Sequence, residues 1–393
     1  QYKWESAAGD STEVNDEFAR FDVTVKGASA ADDYRNEAST YGYIVEIDPY
    51  NSATLATKRT ALGRFRHEGC CPGLPVAGKP LVWYMGDDSN NEYLYKFVST
   101  AVWDAADASP ADRLATGAKY MDQGKLYVAR FNADGTGVWL LLDVATATSA
   151  GSTLGALYGD LPGIILNTRG AGDAVGATPM DRPEWTTVNP LNGDVYLTLT
   201  NNSARTPEKV DAANPRGPNR HGHIIRWHDS DDHLSFTWDI FVFGANAAGT
   251  ADINRSGLTE LNQFASPDGM SFDSRGVLWF ETDNGETTLT DYTNDQLLAV
   301  IPTDLVDASG KQVPVNAQNQ VDLRRFFVGP NGCEVTGITF TPDNKTLFVN
   351  IQHPDNWPYT DKATDATPAG ATVRPRASTV VIQRIDGGEI GTV

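Results

Sequence analysis

The chain has 393 residues, with 31 Lys and Arg against 51 Asp and Glu, a formal net charge of −20 and a pI near 4.6. So acidic a surface repels a phosphate backbone, which excludes nucleic acid as a partner. No apolar run approaches the ~20 residues of a membrane-spanning helix, so membrane insertion is excluded as well. Three cysteines, Cys70, Cys71 and Cys333, make no disulfide framework.

In chain order, residues 1–37 hold few strand-sized apolar runs and read as a blade edge or an insertion; Gln1 opens no charged-then-apolar targeting signal. Strand signals then dominate: TYGYIVEID, YLYKFVS, KLYVARFN, VWLLLDV, GHIIRWHD, LSFTWDIFVF and STVVIQRI, separated by Gly, Asn and Asp turns. Helical periodicity is confined to a short segment at 106–117. The stretch around Gly170, Gly172 and Gly176 misses the dinucleotide-binding spacing and reads as loop, and Asp229 to Asp232 read as a solvated turn. Segments 206–220 and 360–376, rich in Pro and Ala, read as excursions from an otherwise single all-β domain. Nucleophile-elbow, zinc-protease, phosphate-loop and Cys-x-x-Cys motifs are missing.

Four stretches repeat one phrase, a carboxylate, a β-rich run, a turn cluster and a second β-rich run ending in polar residues: 68–87, 184–201, 268–283 and 334–350. Each reads as a β-hairpin. A hairpin recurring at long, uneven intervals in an all-β chain suggests a β-propeller, whose blades repeat and whose connections absorb insertions. Equivalent positions in successive blades lie on a ring, so Glu68, Glu184, Asp268 and Glu334 are expected to converge at one mouth of the central channel. Crowded carboxylates raise one another's pKa unless a multivalent cation compensates them.

Asp87 and Asp88 end the second strand of the first hairpin, so one of them can join the same cation. Asp283, Asn284, Asn350 and His353 occupy comparable places in later hairpins. Arg182 and Glu184 share a face of an extended segment. The pair is open to two readings: a fork for an anionic ligand above bound metal, or an ion pair of Arg182 with Glu184 or Asp181. Hard oxygen ligands suit calcium or magnesium.

The strings IVEIDPYNSATLATKRTALGRFRHEG, VWYMGDDSNNEYLYKFVS, MDRPEW, GHIIRW, FASPDGMSFD and GCEVTGITFTPDNKTLFVNIQHP resemble, in order, the PhoX family of bacterial alkaline phosphatases, from about residue 41 to the C-terminus. The resemblance implies a six-bladed propeller with calcium and iron at the channel mouth, hydrolysing phosphate monoesters, and exported to the periplasm or beyond by the twin-arginine route. Matched motif by motif, it implies that Glu68, Asp87, Glu184, Asp268 and Glu334 are metal ligands, that Arg182 holds the phosphate, and that Arg182 and Glu184 are catalytic. Family members bind iron through a cysteine in a segment upstream of the matching region, and none of the three cysteines here falls on that motif. The expectation is a C-terminal portion of a longer protein, an incomplete propeller, whose N-terminal segment is its partner and completes the iron site. The competing readings are a calcium-binding propeller that recognises proteins or saccharides without chemistry, and a lactonase-type calcium propeller.

Overall fold

The structure is a computed structural model that describes residues 22–284, 292–354 and 376–392. Its strands are β1 (Ile44–Glu46), β2 (Thr57–Arg59), β3 (Cys71–Pro72), β4 (Pro80–Gly86), β5 (Leu94–Val102), β6 (Gly124–Phe131), β7 (Thr136–Leu141), β8 (Pro183–Val188), β9 (Val195–Leu199), β10 (His223–Asp229), β11 (Ser235–Phe243), β12 (Pro267–Phe272), β13 (Leu278–Thr282), β14 (Gln296–Val300), β15 (Arg324–Val328), β16 (Glu334–Phe340), β17 (Thr346–Gln352) and β18 (Ser378–Gln383). The helices are α1 (Arg113–Met121), α2 (Leu154–Tyr158), α3 (Leu161–Leu166) and α4 (Thr168–Val175). The architecture is all-β, as expected, and none of the described helices is long and apolar enough to cross a membrane.

The four repeated phrases are four antiparallel hairpins: β3–β4, β8–β9, β12–β13 and β16–β17. Each continues outward as a meander. The first two meanders fuse through their outer strands, Val138 of β7 facing Ser235 of β11, into a nine-stranded sheet of order β3-β4-β5-β6-β7-β11-β10-β9-β8. Its two ends return to one another, and the Thr186 hydroxyl donates to the Tyr84 carbonyl at 3.0 Å, so the sheet nearly closes. Strands β12 to β15 and β16 to β18 form separate sheets. Side chains join neighbouring hairpins near the inner edges: the Thr198 hydroxyl donates to the Asp268 carbonyl at 2.7 Å, and the Ile338 amide to Glu281 at 3.3 Å. Trp227 packs within the nine-stranded sheet, and between the sheets lie Trp279, Tyr196, Phe241 and Phe264, none of the five more than 1% exposed. Burial of each such ring stabilises the stack by roughly 1.5–3 kcal/mol.

Three sequence expectations are corrected. The helix in 106–117 begins at Arg113, because Pro110 precedes it and the Asp112 carboxylate caps it by accepting from the Ala115 amide at 2.9 Å. The glycine stretch is helical: Thr168, Ala171, Gly172 and Val175 form the buried face of α4, where a Cβ on Gly172 would stand 2.9 Å from the Tyr93 ring. Glycine there is a packing requirement. Asp229 is not a solvated turn residue. Its carboxylate accepts from Tyr84 at 2.8 Å and Trp139 at 2.9 Å and pairs with the fully buried Lys96 at 2.8 Å.

Of the expected excursions, 206–220 holds one 3-10 turn, Pro207–Lys209, and buried Asn214, Arg216 and Asn219. Within 1–37 only residues from 22 onward are described, and they include no named strand; all of 360–376 except Arg376 lies outside the described residues.

Candidate active site

The carboxylates are placed by one backbone device used twice. Arg182 and Ser266 both sit at positive φ, +55° and +52°, and each precedes a proline and then an acid, Pro183-Glu184 and Pro267-Asp268. A non-glycine residue is rare there and persists only where its surroundings hold it. In β8 and β12 the pairing register slips just beyond that proline. Such a bulge re-aims a side chain out of the strict alternation of a strand. β16 carries a similar slip between Thr336 and Thr339, around Gly337 at φ +70°. Glu334 opens that strand, and Glu68 lies just before β3, its amide donating to the Gly86 carbonyl at 3.3 Å.

The outcome is two acidic groups. Ligand atoms of Glu68, Asp88 and Glu184 lie within 4.8 Å of one another, as do those of Asp283, Glu334 and His353. Asp268 is coupled to both groups, feeling the charges of Glu334, Asp283, Glu68 and Asp88. Burial raises the pKa of Glu184 and Asp268 well above the carboxylate range, and neighbouring carboxylates raise it further. Glu68, Asp283 and Glu334 are raised for the same reason, burial first. Arg182 bridges the first group: its Nε approaches Asp88 at 2.8 Å, and its Nη2 donates to Asp88 at 2.9 Å and to Glu184 at 3.0 Å. His353 Nε2 stands 3.3 Å from Glu334, whose carboxylate also accepts from Gln352.

The structure thus brings together Glu68, Glu184, Asp268, Glu334 and Arg182, with Asp283 and His353 beside them. It does not bring Asp87 to either group. That side chain is fully buried and turns the other way, accepting from Arg169 Nε at 2.8 Å and pairing with its Nη2. Asp87 and Asp88 follow one another in extended chain, so their side chains point to opposite sides, and Asp88 is the one that faces Arg182. Arg182 pairs with Glu184 and Asp88, whereas Asp181 pairs with Arg205 at 2.5 Å. Residue types alone gave no signal for Glu281, hidden in the apolar run of β13. Burial pushes its carboxyl up to about 8, and one of its oxygens has no hydrogen-bond partner among the described residues.

The model of alkaline phosphatase PhoX matches residues 3–355. The chain belongs to the PhoX family. The structure of Pseudomonas fluorescens PhoX in complex with vanadate, a transition state analogue, is 38% identical with a TM-score of 0.75 over 95% of this chain and 61% of that one. The chain therefore spans about three fifths of that relative's length. Far weaker likenesses include the iodide structure of a Trichoderma reesei family AA12 carbohydrate-active enzyme, 11% identical, TM-score 0.25, covering 78% of this chain and 84% of that one. The GH43_1 enzyme of Xanthomonas citri complexed with xylose is likewise 11% identical, TM-score 0.25, covering 80% and 86%. No curated protein matches the chain.

PhoX membership makes metal the natural occupant of the acidic groups, and the donor set is consistent with it. Among the described residues six carboxylates and one imidazole gather around the Arg182 guanidinium, and buried like charges of this density call for a cation with oxygen ligands. A thiolate-held iron does not fit the residues present. Neither group includes a cysteine; Cys333 is buried in the core beside Val335 and Leu347, and burial pushes the thiols of Cys70, Cys71 and Cys333 up to about 12, 11 and 12.

Proposed function

We propose that this PhoX-family chain is a metal-dependent phosphomonoesterase acting on small phosphate monoesters, carried on a single propeller-like domain. The observation that carries the reading is Arg182 forked between Asp88 and Glu184 where the two acidic groups and Asp268 converge. The four meanders β3–β7, β8–β11, β12–β15 and β16–β18 are read as blades of the family's six-bladed propeller, with Glu68, Glu184, Asp268 and Glu334 on its inner ring.

Glu68, Asp88 and Glu184 of the first group, Asp283, Glu334 and His353 of the second, and Asp268 between would hold the cations, calcium being the best fit. Bound cations neutralise the ester and polarise its phosphorus–oxygen bonds. Arg182 orients the phosphoryl group: its Nε and Nη2 are fixed by Asp88 and Glu184, and Nη1 is the edge assigned to the substrate. A planar fork held rigidly by two carboxylates meets equatorial oxygens without reorganising, which is how preorganised donors lower a barrier. That the Pseudomonas relative was captured in complex with vanadate, a transition state analogue, supports this reading. Glu184 serves catalysis by holding Arg182 as well as metal. Asp87 belongs to this scheme only through Arg169.

Iron, export through the twin-arginine route to the periplasm or beyond, and completion of the site by a segment outside this chain follow from family membership and belong to the same proposal. A second reading, a calcium-binding protein without chemistry, is favoured by one observation, the lack of a cysteine in either acidic group. Hydrolysis of p-nitrophenyl phosphate that is supported by calcium and abolished by EGTA, with no action on a simple lactone, establishes the phosphatase. Calcium binding without hydrolysis, in a protein that carries the upstream segment, establishes the second reading.

A further inference from the structure

The contact of Arg182 with Asp88 rests on a backbone that other residues must hold in place. Arg182 lies at φ +55°, where a residue with a side chain persists only under constraint from its surroundings. After it, the ring of Pro183 fixes the chain, and the Thr200 amide donates to the Arg182 carbonyl at 3.2 Å. Before it, the constraint comes from a distant side chain. Arg205 is only 5% exposed and donates from Nε to Asp181 at 2.5 Å, from Nη2 to the Pro179 carbonyl at 2.8 Å and from Nη1 to the Lys209 carbonyl at 2.7 Å. Its three nitrogens thus tie residues 179 and 181 to residue 209. The other oxygen of Asp181, which is fully buried, accepts from Asn219 Nδ2 at 2.9 Å, and Asn214 Nδ2 donates to the Pro179 carbonyl at 3.0 Å. The excursion 206–220 therefore spends its buried polar groups on the three residues that precede Arg182.

The partner of Arg182 is supported in the same way. Asp87, the residue before Asp88, is fully buried and paired with Arg169, as Asp181, the residue before Arg182, is paired with Arg205. The two segments also meet through their backbones: Asn90 and Asp181 form an antiparallel bridge, the Asn91 amide donates to the Met180 carbonyl, and the Met180 amide donates to the Glu92 carbonyl, the last two at 2.9 Å. The guanidinium and the carboxylate that grip one another in the site thus each follow a buried aspartate locked by an arginine.

We propose that Arg205 is a positioning residue for the phosphatase reaction: through Asp181 and Pro179 it fixes the left-handed backbone of Arg182, and with it the fork aimed at the phosphoryl group. The proposal rests on the phosphatase reading and gives the pair of Arg205 and Asp181 a part in it. Its effect passes through Arg182, because a preorganised donor loses its advantage once its aim has to be recovered in each turnover.

The test measures p-nitrophenyl phosphate turnover, calcium stoichiometry and melting temperature in the full-length protein for Arg205→Gln, Arg205→Lys and the pair Asp181→Asn with Arg205→Gln, each with Arg182 intact and with Arg182→Ala. The pair removes both buried charges together, so it strands neither. With Arg182 intact, Arg205→Gln and the pair should lower kcat by about 10- to 100-fold, the range for loss of an outer support, with calcium retained. With Arg182→Ala they should lower it no further, since two residues that act as a unit are not additive. Arg205→Lys keeps the charge but not the fork that reaches three acceptors, so it should restore part of the rate. Equal factors in both backgrounds, or unchanged kcat in a folded pair, overturn the proposal and leave the phosphatase standing; loss of folding in all three variants also overturns it, by assigning Arg205 to stability alone. If wild type does not hydrolyse p-nitrophenyl phosphate, the phosphatase reading fails. The aim of Arg182 is then read from the calorimetric Kd of orthovanadate in the calcium-loaded protein: a Kd raised in the pair, and raised no further when Arg182→Ala is added to Arg205→Gln than by Arg182→Ala alone, supports the positioning role, and equal values in wild type and the pair, or no binding by wild type, overturn it.

Discussion

Two adjacent aspartates divide the labour at the edge of the site, and substitutions should separate them. Asp88→Asn removes a carboxylate from the group of Glu68 and Glu184 and is expected to lower calcium affinity at least tenfold by calorimetry, with little change in the metal-free melting temperature. Asp87→Ala removes the two bonds of Arg169 to this carboxylate and is expected to cost about 2 kcal/mol of stability, with calcium stoichiometry retained. Equal losses of metal from both variants would return Asp87 to the ligand set. Arg182→Ala is expected to lower turnover of p-nitrophenyl phosphate by about 10²- to 10³-fold, the range for one preorganised donor, with metal content intact. Arg182→Lys restores charge but not the fork, so its recovery should be partial. Loss of metal from Arg182→Ala would make the residue a structural partner of Glu184. At this scale the sequence reading found Glu68, Glu184, Asp268 and Glu334 because they recur in one phrase, and Arg182 because it shares an extended face with Glu184. It named Asp87 where the structure turns Asp88 to the group, since which of two neighbours faces a site depends on the register of β4 against β5.

Between elements, Lys96 of β5 pins β4, β7 and β10 together: its ammonium bonds Asp229 and the His233 carbonyl, each at 2.8 Å, and lies 4.2 Å from the centre of the Trp139 ring. Burial pushes its pKa down from 10.5 to about 8, against the pull of Asp229. The folded state therefore releases this proton near pH 8, whereas the unfolded chain holds it until about 10.5. Between those limits the unfolded state binds more protons, so this residue's contribution makes stability rise with pH. Lys96→Met is expected to cost about 3 kcal/mol at neutral pH through the stranded Asp229, and to flatten the rise measured by urea unfolding between pH 8 and 10.5. A rise of the same slope in the variant would assign it to other groups. This pin was not legible in the sequence, where DSDD looked like any acidic turn; its partners come from strands 133 and 90 residues away. Helix α4 was missed for a related reason. Its glycines weaken a helix by propensity, and only the rings they pack against, Tyr158 at Gly170 and Tyr93 at Gly172, show why they are there.

For the molecule as a whole, the acidic groups couple stability to metal. With cations removed, buried carboxylates repel one another, and calcium at ~100 times its dissociation constant should stabilise the fold by about 2.7 kcal/mol. A clear drop in melting temperature with EGTA is expected, and an unchanged melt in a verified metal-free sample would speak against the site. Because Glu184, Asp268 and their neighbours have raised pKa values, the metal-free fold binds more protons than the unfolded chain and loses stability as pH rises through the carboxylate range. The effect of EGTA should accordingly be smaller near pH 5 than near pH 8. The sequence by itself determined the all-β class, the four hairpins and the carboxylates that open them. Alternation of apolar residues and turn chemistry act within a few residues, so repetition makes them visible. Only the tertiary structure decided that Asp88 rather than Asp87 joins Glu184, and that Arg169, Arg205 and Lys96 are spoken for by buried acids. These depend on bulges, positive-φ turns and inter-sheet packing that bring distant side chains together, and such distances are set by the fold and carry no local signature.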